Sequence, residues 1–225
     1  MRILAVTHGP LVRPELFGDV ILESGHELLE WDIRLQGMPP HELDAVLVFG
    51  GDQNVGEELE HPWLHDEYDL LRDLVQKETP LLGVCLGAQT LAHAFGAVVS
   101  PAPSALAGFY DSELTDAGVS DPVLGSLPRR FEALNANGYR FEIPDMAIEL
   151  ARGPVPQAFR VGGSAWGVQF HPEVRRDQLL EWFRTEPDPP RPLVELAAEL
   201  DEKLAAWQEL GRGLCRAFLA VAESR

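Results

Sequence analysis

The sequence is poor in cysteine, in basic side chains and in long apolar runs, and each shortage excludes something. Two cysteines, Cys85 and Cys215, are all that 225 residues carry. They show no metal-ligand spacing and nothing pairs them, so neither a zinc site nor a disulfide framework is expected, and a reducing cytoplasm is the default. The histidines are scattered without ligand spacing, so no metal or organic cofactor is expected either. Eighteen lysines and arginines stand against 36 acidic residues, a formal net charge of -18. Such a surface repels phosphate backbones, and no basic stripe offsets it, so nucleic acid is not an expected partner. The acidity reads instead as a solubility trait. No apolar run reaches the roughly 18 residues of a membrane span. The apolar run behind Met1 and Arg2 is too short for a signal-peptide core and reads as a first buried strand.

What is present is a globular composition, 45% apolar, in a chain long enough to bury a core without staples. Short apolar runs alternate with amphipathic stretches. Residues 3–6, 27–33, 45–49 and 81–84 predict strands, and the unbroken apolar run at 45–49 predicts burial on both faces. Residues 14–24, 63–77 and 88–95 predict helices. Gly25 and Gly96 stop the first and last, and Leu64, Leu70, Leu71, Leu74 and Val75 form the apolar face of the second. This order predicts an α/β fold, a mainly parallel central sheet flanked by helices.

Later runs at 97–100, 109–114, 131–134, 147–151, 157–161 and 165–170 sit between Gly, Pro and Asp turns. They predict a small antiparallel addition whose last strand returns to the main sheet. A helix is expected over 174–184. Four prolines within 186–192 predict a stiff linker. Beyond it lies an amphipathic C-terminal helix. Leu193, Leu200, Trp207 and Leu214 repeat every seven residues, and Ala197, Leu204 and Phe218 fill the alternate seam, with Gly211 as a gap. Such a stripe either packs on its own domain or serves a homodimer or a docking partner. The organisation expected is a core unit over 1–184, a linker over 185–192 and a C-terminal helix over 193–225.

Two motifs carry chemistry. In Leu81-Leu82-Gly83-Val84-Cys85-Leu86-Gly87-Ala88-Gln89 a buried strand runs into Gly-x-Cys-x-Gly and then a helix. This is the thiol counterpart of a nucleophile elbow. Its glycines permit a tight strand-to-helix turn, the helix N-terminus favours a thiolate, and the Leu86 N–H is placed for an oxyanion. In Gly167-Val168-Gln169-Phe170-His171-Pro172-Glu173 an apolar strand ends at a histidine, with a carboxylate two residues on. A thiol nucleophile needs a base, and the base needs an acceptor that holds its tautomer. His-Pro-Glu alone is a weak tripeptide; together with the elbow it is specific. Phe49-Gly50-Gly51-Asp52 follows the central strand, and the Gly51 N–H is a candidate second oxyanion donor.

These residues resemble the class I glutamine amidotransferases over about residues 1–184. The single-domain members are the nearest match, through His8-Gly9-Pro10 and Glu60-His61-Pro62-Trp63. The resemblance implies a Cys85 nucleophile that forms a γ-glutamyl thioester, His171 as base and then acid, and Glu173 as its orienter. It also implies Gly51 and Leu86 as oxyanion amides and Gln89 as a residue that helps hold the substrate. By position Asn137, Gly138 and Tyr139 would flank the α-amino and α-carboxyl groups of glutamine. The chain departs from the family in three places. Asp52 replaces the usual proline, and the Asn135-Ala136-Asn137-Gly138-Tyr139-Arg140 stretch replaces a His-Gly-Asp-like element. The linker and heptad helix are additions to the family core. Arg140 is either a new cation for the pocket or a solvated surface arginine.

With no P-loop signature in the chain, ammonia would go to a separate synthetase, or a γ-glutamyl compound would simply be hydrolysed. The expected function is therefore hydrolysis of glutamine or a related γ-glutamyl amide. The alternatives are a γ-glutamyl peptidase or transferase, and a non-catalytic interaction subunit that docks through Leu200, Trp207 and Phe218.

Overall fold

A computed structural model describes residues 1–40, 43–186 and 188–225. The first half contains β1 (Arg2–Thr7), α1 (Glu15–Glu23), β2 (Glu27–Asp32), α2 (Ile33–Gln36), β3 (Ala45–Val48), α3 (Trp63–Gln76), β4 (Leu81–Val84) and α4 (Leu86–Ala94). The second half contains β5 (Val99–Leu114), α5 (Asp116–Val119), β6 (Arg130–Phe141), β7 (Ala147–Arg152), β8 (Pro156–Val161), β9 (Ala165–Val168), α6 (Arg176–Thr185) and α7 (Leu193–Glu223). The strands form one sheet in the order β2-β1-β3-β4-β9-β8-β7-β5-β6. The β2-β1-β3-β4-β9 pairs are all parallel, and the remainder is antiparallel.

The two-residue period of a strand divides the core between the two faces of the sheet. Ile3, Ala5, Leu47, Leu82 and Val84 point to one side and pack with α1, α6 and α7 through Phe17, Leu179, Leu196 and Leu200. Leu4, Val6, Val46, Val48 and Leu81 point to the other, against Leu64, Leu71, Ala88 and Leu91 of α3 and α4. Both faces are therefore covered, and the strands read as unbroken apolar runs.

Several boundaries move for physical reasons. The strand expected over 27–33 ends at Asp32, whose side chain accepts the Arg34 N–H and starts α2. The helix expected from residue 88 begins at Leu86, directly after Cys85. The runs at 97–100 and 109–114 are one strand, β5. Its partner β6 extends well past 134 and absorbs the Asn135–Arg140 stretch. Antiparallel pairing carries both through polar residues, with a register break between Pro101 and Leu106 opposite Asn137 and Tyr139. In the expected proline linker, Pro187 lies outside the described residues.

The heptad seam of α7 faces inward. Leu200, Trp207, Leu214 and Phe218 are at most 2% exposed, and α7 packs on α1 and α6. The seam is filled by the chain's own core and has no surface to offer a second copy or a partner.

Candidate active site

Cys85 follows β4 and His171 follows β9, and these two strands are parallel neighbours in the sheet. Their carboxyl ends open at one edge, where open α/β sheets place their ligand crevices. The Cys85 backbone has φ 53° and ψ -108°, a left-handed conformation rare for a residue with a side chain. Hydrogen bonds on both sides hold this turn. The Cys85 N–H donates to the Val168 carbonyl at 2.8 Å, and the Gly87 N–H donates to the Phe49 carbonyl at 3.1 Å. A Cβ at Gly83 would collide with the Gly87 backbone, and one at Gly87 with the Val48 carbonyl, so α4 can turn this closely only on glycines. Leu86 is the first residue of α4, and its N–H has no intrahelical carbonyl to bond.

His171 is fixed on every side. Its N–H donates to the Leu134 carbonyl at 2.8 Å, and its carbonyl accepts the Trp207 indole N–H at 2.8 Å. The ring Nδ1 lies 2.8 Å from Oε1 of the fully buried Glu173, and the Trp182 ring stands edge-on at 5.0 Å. With Glu173 on Nδ1, the buried Nε2 is left facing the sulfur. It makes no well-formed protein hydrogen bond, yet it is close enough to Cys85 to feel its charge. Burial opposes a proton on this ring, but the Glu173 carboxylate and the Cys85 thiolate outweigh it and push the pKa up to about 10.

A cavity of about 560 Å³ opens over the thiol. Gly51, Leu86, Gln89, Asn137, Gly138 and Tyr139 line it together with Cys85 and His171, while Glu173 lies behind the histidine. Arg140 is not among the lining residues. Gln89 is tied to the wall of the cavity: its amide nitrogen donates to the Tyr139 carbonyl at 3.2 Å and to Gln169 Oε1 at 3.3 Å. Asn137 donates to the same Tyr139 carbonyl at 2.9 Å. Both side chains thus shape the β6 wall, and the Asn137 Oδ1 stays unpartnered. A more open groove of about 610 Å³, over Arg13, Arg175 and Glu181, holds none of these residues. Among the described residues no cluster of three or more His, Cys, Asp or Glu could hold a metal ion, and no helix is long and apolar enough to cross a membrane.

Two groups of residues escaped the sequence reading. Trp182, Phe183, Thr185, Glu186, Asp188 and Pro190 close one side of the cavity. They carry no motif, and only tertiary packing brings them to the thiol. His8 and Glu67 form a second buried histidine–carboxylate pair, at 2.5 Å, beneath the glycine loop. The only hint of it was the His8-Gly9-Pro10 segment.

Fold and site together define an α/β protein built around a cysteine, a histidine and a glutamate at one sheet edge. The chain belongs to the class-I glutamine amidotransferase family, whose model matches residues 22–181. It is 30% identical over 173 residues to the glutamine-hydrolyzing GMP synthase of Thermosipho africanus, covering 72% of this chain and 32% of that protein. This chain therefore spans about a third of the length of that relative. It is 33% identical over 188 residues to one of the subunits of the glutamine-hydrolyzing GMP synthase of Ignicoccus hospitalis, covering 79% of this chain and 92% of that one. The crystal structure of a glutamine amidotransferase from Thermotoga maritima superposes with a TM-score of 0.81 at 26% identity, over 99% of this chain and 97% of that one.

Proposed function

We propose that the chain hydrolyses the side-chain amide of glutamine, or of a related γ-glutamyl compound, through a thioester on Cys85. The observation that carries this reading is the Cys85 turn, a strained backbone that puts a thiol into the same cavity as a histidine backed by a buried glutamate. The thiolate adds to the amide carbonyl, and the negative oxygen is met by the Gly51 and Leu86 N–H groups. His171 gives its proton to the departing ammonia, and the carbon–nitrogen bond breaks to leave the thioester. His171 then takes a proton from water, which attacks the thioester and releases the acid and free thiol. Glu173 holds the ring with Nε2 toward the sulfur throughout.

The Ignicoccus hospitalis relative is one of several subunits of its synthase, and this supports a separate synthetase as the acceptor of the ammonia. One observation favours a bulkier leaving group. Asp52, Glu186 and Asp188 line the cavity, and no lysine or arginine is among its described lining residues. An acidic wall of this kind suits a γ-glutamyl compound whose departing amine carries a positive charge.

The test is ammonia release from glutamine by wild type and by Cys85→Ala, beside amine release from γ-glutamyl dipeptides. Wild-type turnover should vanish in the variant while thermal unfolding stays unchanged. Turnover that survives in Cys85→Ala would sink the thioester route.

A further inference from the structure

We propose that His8 and Glu67 are a positioning pair, which holds the Gly50–Gly51 peptide so that the Gly51 N–H faces the reacting oxygen. This rests on the hydrolase reading above, but it concerns residues outside the triad. Both side chains are 0% exposed. His8 Nδ1 lies 2.9 Å from the Gly50 carbonyl oxygen, and Nε2 lies 2.5 Å from Glu67 Oε2. A carbonyl oxygen can only accept, so Nδ1 carries a hydrogen whichever charge the ring takes. The ring is further pinned by Trp63, stacked at 5.0 Å and 22°. Trp63 and Glu67 are four apart on α3, so one helix face delivers both to a single imidazole.

The consequence is geometric. No described peptide bond is cis. In a planar trans peptide the N–H points opposite the carbonyl, so tying the Gly50 oxygen to His8 turns the Gly51 N–H away from it. Gly51, Leu86 and Cys85 line the cavity together. A peptide between two glycines flips easily, and a flipped one would present a carbonyl lone pair where a negative oxygen forms. The clamp also explains why Gly51 has no side chain. A Cβ there would stand 2.8 Å from His8 Cβ and 2.9 Å from Leu86 Cδ2. His8 does not line the cavity, so it acts through the loop alone. An ionisable pair is costly to bury, and apolar residues would fill the same space without that cost.

The experiment compares two reactions of Cys85 in wild type, His8→Ala, His8→Gln and His8→Asn. Acylation by 4-nitrophenyl acetate adds the thiolate to a carbonyl, expels 4-nitrophenolate and passes through an oxyanion. Alkylation by iodoacetamide displaces iodide at carbon and forms none. His8→Ala and His8→Gln should lose roughly 10²- to 10³-fold in acylation and in ammonia release, with alkylation unchanged. His8→Gln fills the space and reaches toward Glu67 but not Gly50, and it serves where His8→Ala does not fold. His8→Asn, whose amide nitrogen reaches toward Gly50, should recover much of the acylation. Acylation that is unchanged in His8→Gln, or that falls together with alkylation, overturns the proposal. Should the wild type be acylated by the ester yet release no ammonia from glutamine, the substrate reading fails while this pattern still decides the role of His8. A wild type that the ester does not acylate overturns the positioning role as well.

Discussion

Each of the two cysteines has a different fate, and burial decides both. Cys215 is fully buried, and desolvation pushes its thiol up to about 12, so it stays protonated and out of reach of reagents. Cys85 opens onto the cavity and is the side chain that a thiol label should find. His171 is governed by its neighbours. In the unfolded chain it titrates near 6.5; in the folded chain Glu173 and Cys85 outweigh burial and raise it to about 10. Between those values the folded protein keeps a proton that the unfolded chain has released. Its stabilising effect is complete below about pH 6.5 and is lost as the pH rises toward 10. His8 is raised as well, since Glu67 outweighs the opposing burial, and it contributes with the same sign. The urea midpoint of wild type should therefore fall from about pH 7 to about pH 9.5, by at most about 1.4 kcal/mol per pH unit for one proton. In Glu173→Gln the fall should be flatter. Parallel curves for the two proteins would show that Glu173 does not hold the His171 proton.

Among the elements, α7 matters most to the site although it contributes no reacting group. The Trp207 indole donates to the His171 carbonyl, Gln208 donates to the Val174 carbonyl at 3.1 Å, and Gly211 lets the helix close onto the Pro172 carbonyl. Trp207→Phe keeps an aromatic ring beside Phe131 and Phe170 but leaves the buried His171 carbonyl without its donor. Denaturation should show a loss of about 1–3 kcal/mol, with a drop in ammonia release that glutamine concentration does not rescue. Gly211→Ala should cost more, because its Cβ meets backbone that cannot step aside. Unchanged turnover in both variants would mean that the His171 loop stands without the helix.

The same scale shows what the sequence could and could not disclose. Strands β1, β3 and β4 were legible because burial on both faces leaves unbroken apolar runs. The full lengths of β5 and β6 were not. Their middle residues are polar or exposed, and only cross-strand pairing keeps them extended. Of the site, the thiol turn and the His-Pro-Glu step were legible because local backbone geometry writes them into short motifs. Trp182 and Glu67 were not, because each meets its partner only through tertiary packing.

For the molecule as a whole, the direction in which α7 faces decides what its heptad pattern means. Sevenfold repetition suits a seam between chains and also the spine of a helix laid on its own sheet. Here Leu196, Leu200 and Leu204 join the core beside Phe109 and Leu134. Leu200→Asp should therefore lower the unfolding temperature sharply, since a buried unpaired charge is costly, and should leave the association state of the folded fraction unchanged in light scattering. A variant that stayed fully stable and merely lost a dimer would restore the docking role. With a net charge of -18, copies of the chain also repel one another at low salt.

The brace that α7 provides also sets an order in time. Synthesis runs from the N-terminus, so the ribosome delivers Cys85 and its elbow first, His171 and Glu173 later, and Trp207 and Gly211 after both. Until the helix docks, the His171 carbonyl lacks its indole donor and one face of the sheet lacks its cover. A nascent chain that already carries the thiol therefore still lacks the finished site, and the last helix to be made is the one that arms it.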